Sequence, residues 1–143
     1  MNTSEATVLS LRAETAADLM SPDPISVRDT ATLREAVALL TGKGFAAAPV
    51  IDAAGRPVGV LSRSDLLIHE GQRAEKPADP NRAGRTLVRD VMTPVVFSVT
   101  PATPARRVVE DLVSLHVHRL FVVDPGGALV GVISAADVLR RLR

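Results

Sequence analysis

The sequence predicts an α/β fold built from two tandem copies of one unit, each ordered approximately β-α-β-β-α. Three observations lead to it. At an offset of 72 residues the chain aligns with itself, and 17 of the 50 positions from 18 to 67 match, where unrelated sequences give roughly three or four. Each copy alternates short apolar, strand-like runs with segments whose apolar residues recur at helical spacing. The third observation is compositional: 46% of residues are hydrophobic but only Phe45, Phe97 and Phe121 are aromatic, so the core must be aliphatic. A chain of 143 residues has room for one modest core or two small packed modules, not for separate catalytic and substrate domains.

The repeat runs without a gap. Asp18, Met20 and Pro22 fall on Asp90, Met92 and Pro94, and Ser26-Val27 on Ser98-Val99. Val50, Asp52 and Gly55 fall on Val122, Asp124 and Gly127, and Val58-Gly59-Val60 on Val130-Gly131-Val132. Ser62, Asp65 and Leu67 fall on Ser134, Asp137 and Leu139.

In the first copy, residues 25–27 predict a short strand. Thr32 then caps a helix and Glu35 completes a capping box, while Leu33, Ala36, Val37 and Leu40 form the buried face. That helix should stop near Gly42 and Gly44. Apolar runs at 45–51 and 57–61 flank a turn at 52–55 and predict two strands, with a second helix after Ser62. The second copy repeats this with a strand at 95–99, a helix introduced by Thr103-Pro104, strands at 119–123 and 128–133, and a final helix through Leu139. Pro104 suits the first helical position, where no amide donor is needed, and Val108, Val109 and Leu112 supply the buried stripe. The polar stretch rich in proline and glycine after His69 predicts an exposed connection. The expected organisation is therefore an N-terminal adapter or tail at 1–16, a first repeat at 17–69, a linker at 70–86, and a second repeat with its C-terminal tail at 87–143.

Charge and cysteine content narrow the function. Lys and Arg number 17 against 16 Asp and Glu, a formal charge of +1, and the arginines are scattered, so nothing directs the chain to nucleic acid. Without cysteine there are no disulfides, cysteine nucleophiles or cysteine-held metals. His69 lies far from His116 and His118 in sequence and there is no HExxH pattern, so no metal site is expected. Serine and aspartate without a positioned base do not make a nucleophilic centre, so the chain is not expected to be an enzyme. The start of the chain shows no basic segment followed by an apolar core, and no apolar run approaches about 20 residues, so a soluble cytoplasmic protein without membrane attachment is expected.

The paired entrances MSPDPISV and MTPVVFSV, the paired hydrophobic-Asp-turn-GV segments, and VGVLSRSDLL matched by VGVISAADVL resemble a pair of cystathionine beta-synthase (CBS) domains, together a Bateman module. The resemblance covers roughly residues 17–140. It implies tandem CBS repeats packed through their sheets with pseudo-twofold symmetry and two potential ligand clefts. It also implies a stand-alone regulatory module, a homodimer, an adenosyl ligand such as AMP, ADP, ATP or S-adenosylmethionine, and a regulated protein partner. A structural homodimerisation or protein-interaction module without a nucleotide is the alternative.

The residues that would carry binding start with Ser62-Arg63-Ser64-Asp65 and Ser134-Ala135-Ala136-Asp137. At a helix start, free amides and the positive helix end attract phosphate, and Ser62 or Ser134 adds a hydroxyl. By resemblance to nucleotide-binding CBS domains, Asp65 and Asp137 would accept hydrogen bonds from ribose hydroxyls. The same Ser-x-x-Asp spacing also reads as a capping box, with the serine satisfying an amide and the acid favoured by the helix dipole. Val96 and Phe97 at the entrance, with His118 and Arg119 on a strand, are further candidates by resemblance. Phe97 either meets an adenine face or fills the core, and Arg119 either neutralises phosphate or joins His116 and His118 in a solvated rim. The first repeat has Ala46-Ala47-Ala48-Pro49 where the second has His118-Arg119-Leu120-Phe121, a loss that Arg63 partly offsets. Equal affinities are therefore not expected.

Overall fold

The computed structural model describes residues 8–73 and 85–143. In chain order the elements are α1 (Ala16–Leu19), β1 (Ser21–Pro22), β2 (Val27–Arg28), α2 (Leu33–Lys43), β3 (Ala47–Ile51), β4 (Pro57–Ser62) and α3 (Arg63–Arg73). A 3-10 turn (Val88–Asp90) follows, then β5 (Ser98–Val99), α4 (Ala105–Ser114), β6 (Arg119–Val123), β7 (Leu129–Ser134) and α5 (Ala135–Leu139). They form two units, Ile25–Val96 and the segments before Pro24 joined to Phe97–Arg143, here termed the first-repeat and second-repeat units.

In the first-repeat unit the sheet order is β2-β3-β4, with β2 parallel and β4 antiparallel to β3. The strands form because β-branched and aliphatic side chains stack across the ladder, Val27 opposite Val50 and Leu61 opposite Ala48. Ala36 and Leu40 of α2 close this core with Val50, Leu61 and Val88. Val37, expected on the buried face, borders it and is 42% exposed. The Thr32 hydroxyl accepts the Glu35 amide at 3.2 Å and donates to the Glu35 carboxylate at 3.1 Å, so the cap forms as expected, but Glu35 meets the Thr32 hydroxyl rather than its backbone amide and does not complete the capping box. Helix α2 ends where Gly44 turns left-handed at φ 69°, a conformation without steric penalty only for glycine.

The second-repeat unit has the sheet order β1-β7-β6-β5 and a core of Leu19, Val99, Val108, Leu120, Val122 and Ile133. Val109 and Leu112 of α4 pack on its margin. Pro104, expected at the first helical position, is instead the cap residue one position before α4, and its carbonyl accepts the Val108 amide. Of the expected strand at 95–99, only Ser98–Val99 pairs, in parallel with Phe121 and Val122.

The units cut across the sequence repeats. Strand β1 precedes the first repeat's own sheet, yet pairs antiparallel with β7, Ser21 opposite Val132 and Pro22 opposite Gly131. Reciprocally, Thr93 exchanges backbone hydrogen bonds with Val60 of β4, at 3.0 and 2.9 Å. Each entrance segment thus completes the sheet of the other repeat. The glycine of each Val-Gly-Val makes this possible, because Met20 lies over Gly131 and Met92 over Gly59 where any Cβ would collide.

The terminal segments also join the second-repeat unit. Ser10 and Arg143 exchange backbone hydrogen bonds, the Arg12 amide donates to the Arg141 carbonyl, and Leu11 packs on the core. Residues 10–12 of the expected adapter therefore pair with the C-terminal tail, Thr15 bridges to Pro104, and residues 1–7 lie outside the described residues. Of the expected linker at 70–86, residues 70–73 belong to the last turn of α3 and 74–84 lie outside the described residues.

At the start of α1 the Asp18 carboxylate accepts the amides of Glu14 and Thr15 at 2.9 and 3.2 Å. These bonds, that of Glu14 most, hold its carboxyl below the ordinary value of 3.8. A depressed folded-state pKa means that the stability this cap contributes is complete above about pH 3.9 and is lost as pH falls through the lower folded value. We therefore expect the amide signals of Glu14 and Thr15, followed by NMR during acid titration, to move with a midpoint below 3.8. A midpoint above 4 would show that the cap does not form.

Candidate functional site

In both units a strand passes into a helix without a loop: Ser62 ends β4 and Arg63 begins α3, while Ser134 ends β7 and Ala135 begins α5. The residue before each serine, Leu61 or Ile133, is fully buried and anchors the switch point. The serine is thereby held in extended geometry beside the first helical amides, where its hydroxyl accepts from the residue three positions on.

Asp65 and Asp137 answer in kind. The Asp65 Oδ2 atom accepts the Ser62 amide at 2.9 Å and the Ser62 hydroxyl at 3.0 Å, and its Oδ1 accepts the Thr93 hydroxyl at 2.9 Å. The Asp137 Oδ2 atom accepts the Ser134 amide at 2.8 Å and hydroxyl at 3.0 Å. Its Oδ1 accepts the Ser21 hydroxyl at 3.3 Å and an Arg140 guanidinium N–H at 2.7 Å. Both aspartates therefore sit in the capping arrangement that the Ser-x-x-Asp spacing allows. Asp65 is half-buried and Asp137 only 7% exposed.

Ser21 and Thr93 escaped the reading of the sequence, although they stand 72 positions apart. They differ in identity, and only the exchange of entrance segments carries each hydroxyl to the opposite repeat's aspartate. A hydroxyl conserved in type within one chain, at positions flanked by Met and Pro in both copies, was the available signal. Arg140 likewise stands out only in the structure, at the Asp137 carboxylate.

The remaining candidates are distributed unequally. Arg63 turns away from the helix start and donates from Nε to the Phe45 carbonyl at 3.0 Å. Arg119 lies directly across the ladder from Ser134, so their side chains share one face of the sheet, whereas Ser62 faces Ala47. His118 is exposed at the head of β6. Phe97 is half-buried against the second-repeat core and its carbonyl accepts the Phe121 amide at 3.0 Å. Val96 ends the first-repeat unit and is half-buried.

A cleft of about 220 Å³ opens beside Asp65, lined also by Ile68, His69 and Gln72 of α3 and by Asp90 and Val91. It is smaller than the ~300 Å³ at which whole-ligand pockets begin, a space for a ribose-sized fragment. Its lining holds two carboxylates, Asp65 and Asp90, with His69 and Gln72 able to donate or accept and no Lys or Arg, so at Asp65 it suits a group that donates hydrogen bonds. A shallower cleft of about 450 Å³ lies between β2 and α2, beside Ser26, Arg28 and Glu35. Among the described residues no three His, Asp or Glu side chains converge as metal ligands, and no helix is long and apolar enough to cross a membrane.

Comparison with known proteins places this geometry in a family. The family model for the CBS domain matches twice, at residues 16–70 and 88–143. The chain is 30% identical over 116 residues to the 5'-AMP-activated protein kinase subunit gamma-3 of Sus scrofa, covering 81% of this chain but 23% of the kinase subunit. It is 30% identical to CBSX2 crystallised in complex with AMP, with a TM-score of 0.73 over 90% of this chain and 95% of that one. The cytosolic domain of the Mg2+ channel MgtE in complex with ATP is 32% identical, with a TM-score of 0.70 over 89% of this chain and 48% of that one. Two matched copies, the exchanged entrance segments and the paired Ser-x-x-Asp switch points agree: the chain belongs to the CBS-domain family and carries two of these domains in tandem.

Proposed function

We propose that the protein is a non-catalytic regulatory module that binds an adenosyl ligand, AMP, ADP, ATP or S-adenosylmethionine, and thereby changes its own dimerisation or its hold on a partner protein in the cytoplasm. One observation carries the reading: the Asp65 carboxylate, set at a helix start, borders an open cleft lined also by Asp90, His69 and Gln72. The similarity to CBS proteins solved with AMP and with ATP supports the adenosyl class. In this reading the Ser62 hydroxyl contacts phosphate and the Asp65 carboxylate accepts from a ribose hydroxyl, while Ser134 and Asp137 hold the matching positions in the second repeat. The further candidates divide between the units: Arg63 and Val96 lie in the first-repeat unit with Asp65, and Arg119, His118 and Phe97 in the second-repeat unit, where Arg119 stands beside Ser134.

A structural module without nucleotide is the second reading. It is favoured by the hydrogen-bonded caps on both aspartates and by apolar side chains left open on the closing helices: Leu67 is 72% and Leu139 65% exposed. Exposed apolar side chains of this kind suit a second copy of the chain.

Calorimetry on the purified protein with AMP, ADP, ATP, S-adenosylmethionine and GMP separates the readings. Saturable adenosyl-specific binding is expected, weakened at least tenfold, about 1.4 kcal/mol, by Asp65→Ala with the fold retained by circular dichroism. No heat at millimolar ligand from folded, ligand-free protein would leave the interaction module as the function.

A further inference from the structure

Asp65 and Asp137 occupy matching positions, yet their carboxylates have unequal capacity. An ionised carboxylate offers about four acceptor sites, two on each oxygen. On Asp137 all are taken, by the Ser134 amide and hydroxyl on Oδ2 and by Ser21 and Arg140 on Oδ1. On Asp65, among the described residues, three are taken, by the Ser62 amide and hydroxyl and by Thr93, leaving one site on Oδ1. The difference is one residue. Arg140 stands 72 positions after Ile68, which cannot donate a hydrogen bond and instead lines the cleft beside Asp65.

We propose that Arg140 is a specificity-determining residue that fills the second-repeat carboxylate and confines adenosyl binding to one site per chain, the site built on Asp65. The inference rests on the adenosyl reading above. A ribose hydroxyl entering at Asp137 must displace a guanidinium held at 2.7 Å from a carboxylate that is 7% exposed. That exchanges an ion-paired donor for a neutral one and gives up the attraction between the two opposite charges. It would also leave a buried charge without its counterion, a cost that grows with burial. At Asp65 no cation has to leave, and the hydroxyl takes the open acceptor site. Arg140 itself is 70% exposed, so it acts as a removable plug rather than a packed part of the core.

AMP titrations of four chains test this. The unmodified protein is expected to bind one equivalent, Arg140→Ile to bind two, Asp137→Asn to keep one, and Ile68→Arg to lose at least tenfold in affinity by closing the Asp65 carboxylate in the same way. Two equivalents in the unmodified chain, or loss of binding in Asp137→Asn with retention in Ile68→Arg, would overturn the inference while leaving adenosyl binding in place. No binding by any chain would overturn the adenosyl reading and the inference with it. Thermal unfolding without ligand supplies an independent arm. Arg140→Ile should lower the midpoint by about 4 °C, and the same change should have no effect in an Asp137→Asn background. Equal midpoints for the unmodified and Arg140→Ile chains would show that Arg140 does not hold Asp137.

Discussion

Replacing Gly59 with valine is expected to lower the free energy of unfolding by about 3 kcal/mol, at the upper end of overpacking costs. A Cβ at this position would stand 2.7 Å from the Thr93 carbonyl oxygen and 2.8 Å from the Met92 sulfur. The sulfur ends a flexible side chain, but the carbonyl belongs to backbone. It accepts the Val60 amide at 3.0 Å while the Thr93 amide donates to Val60 at 2.9 Å, so retreat breaks two hydrogen bonds. Retreat would also draw the Thr93 hydroxyl from Asp65, joining a stability loss to a distorted site. Gly131→Val meets the Met20 sulfur at 2.5 Å and its Cβ and Cγ at 3.1 Å, all side-chain atoms, and should cost less. Urea unfolding of both variants checks the order. Equal losses would mean that backbone crowding at Thr93 is not the cause.

Leu61→Ala is expected to cost about 3 kcal/mol, within the range found when a fully buried leucine is truncated. Leu61 has no exposed surface, lies opposite Ala48 in the ladder and packs in the core with Leu40 and Val50. The methyl groups removed leave a space that the small Ala48 opposite cannot fill. Leu67→Ala, on a side chain 72% exposed, should change stability by less than about 0.5 kcal/mol. A denaturant midpoint for Leu61→Ala close to that of Leu67→Ala would contradict the assigned core. Ile133 holds the matching position in the second-repeat unit, so Ile133→Ala provides a parallel measurement there.

The local elements were legible because their causes are local. Thr32 followed by Glu35, Gly44 at the helix end and the Asp52 turn each act within a few residues, and the structure uses each of them. The buried helix faces were legible from spacing, except at Val37, where spacing alone does not say how far the sheet reaches around the helix. The Ser-x-x-Asp pairs were legible too, with both capping and ligand contact left open. Their geometry is that of a cap, and a cap at a switch point still presents a carboxylate to a cleft.

What escaped the sequence depends on residues far apart along the chain. Self-alignment counts identities, so it passed over Ser21 and Thr93, whose shared hydroxyl matters more than their different side chains. It also passed over Arg140 and Ile68, where the mismatch is the informative feature.

The chain's own pattern was enough to establish the duplication, the α/β class, the aliphatic core and the placement of serine and aspartate at two matching helix starts, since periodicity, capping and turn chemistry are short-range effects. Tertiary structure alone decided which repeat each entrance segment completes, because Met20 and Met92 each need a glycine to lie against and find it in the other repeat's sheet. It also decided that, among the described residues, Asp137 has four donors and Asp65 three, because acceptor sites are filled by whatever the fold brings within hydrogen-bond reach.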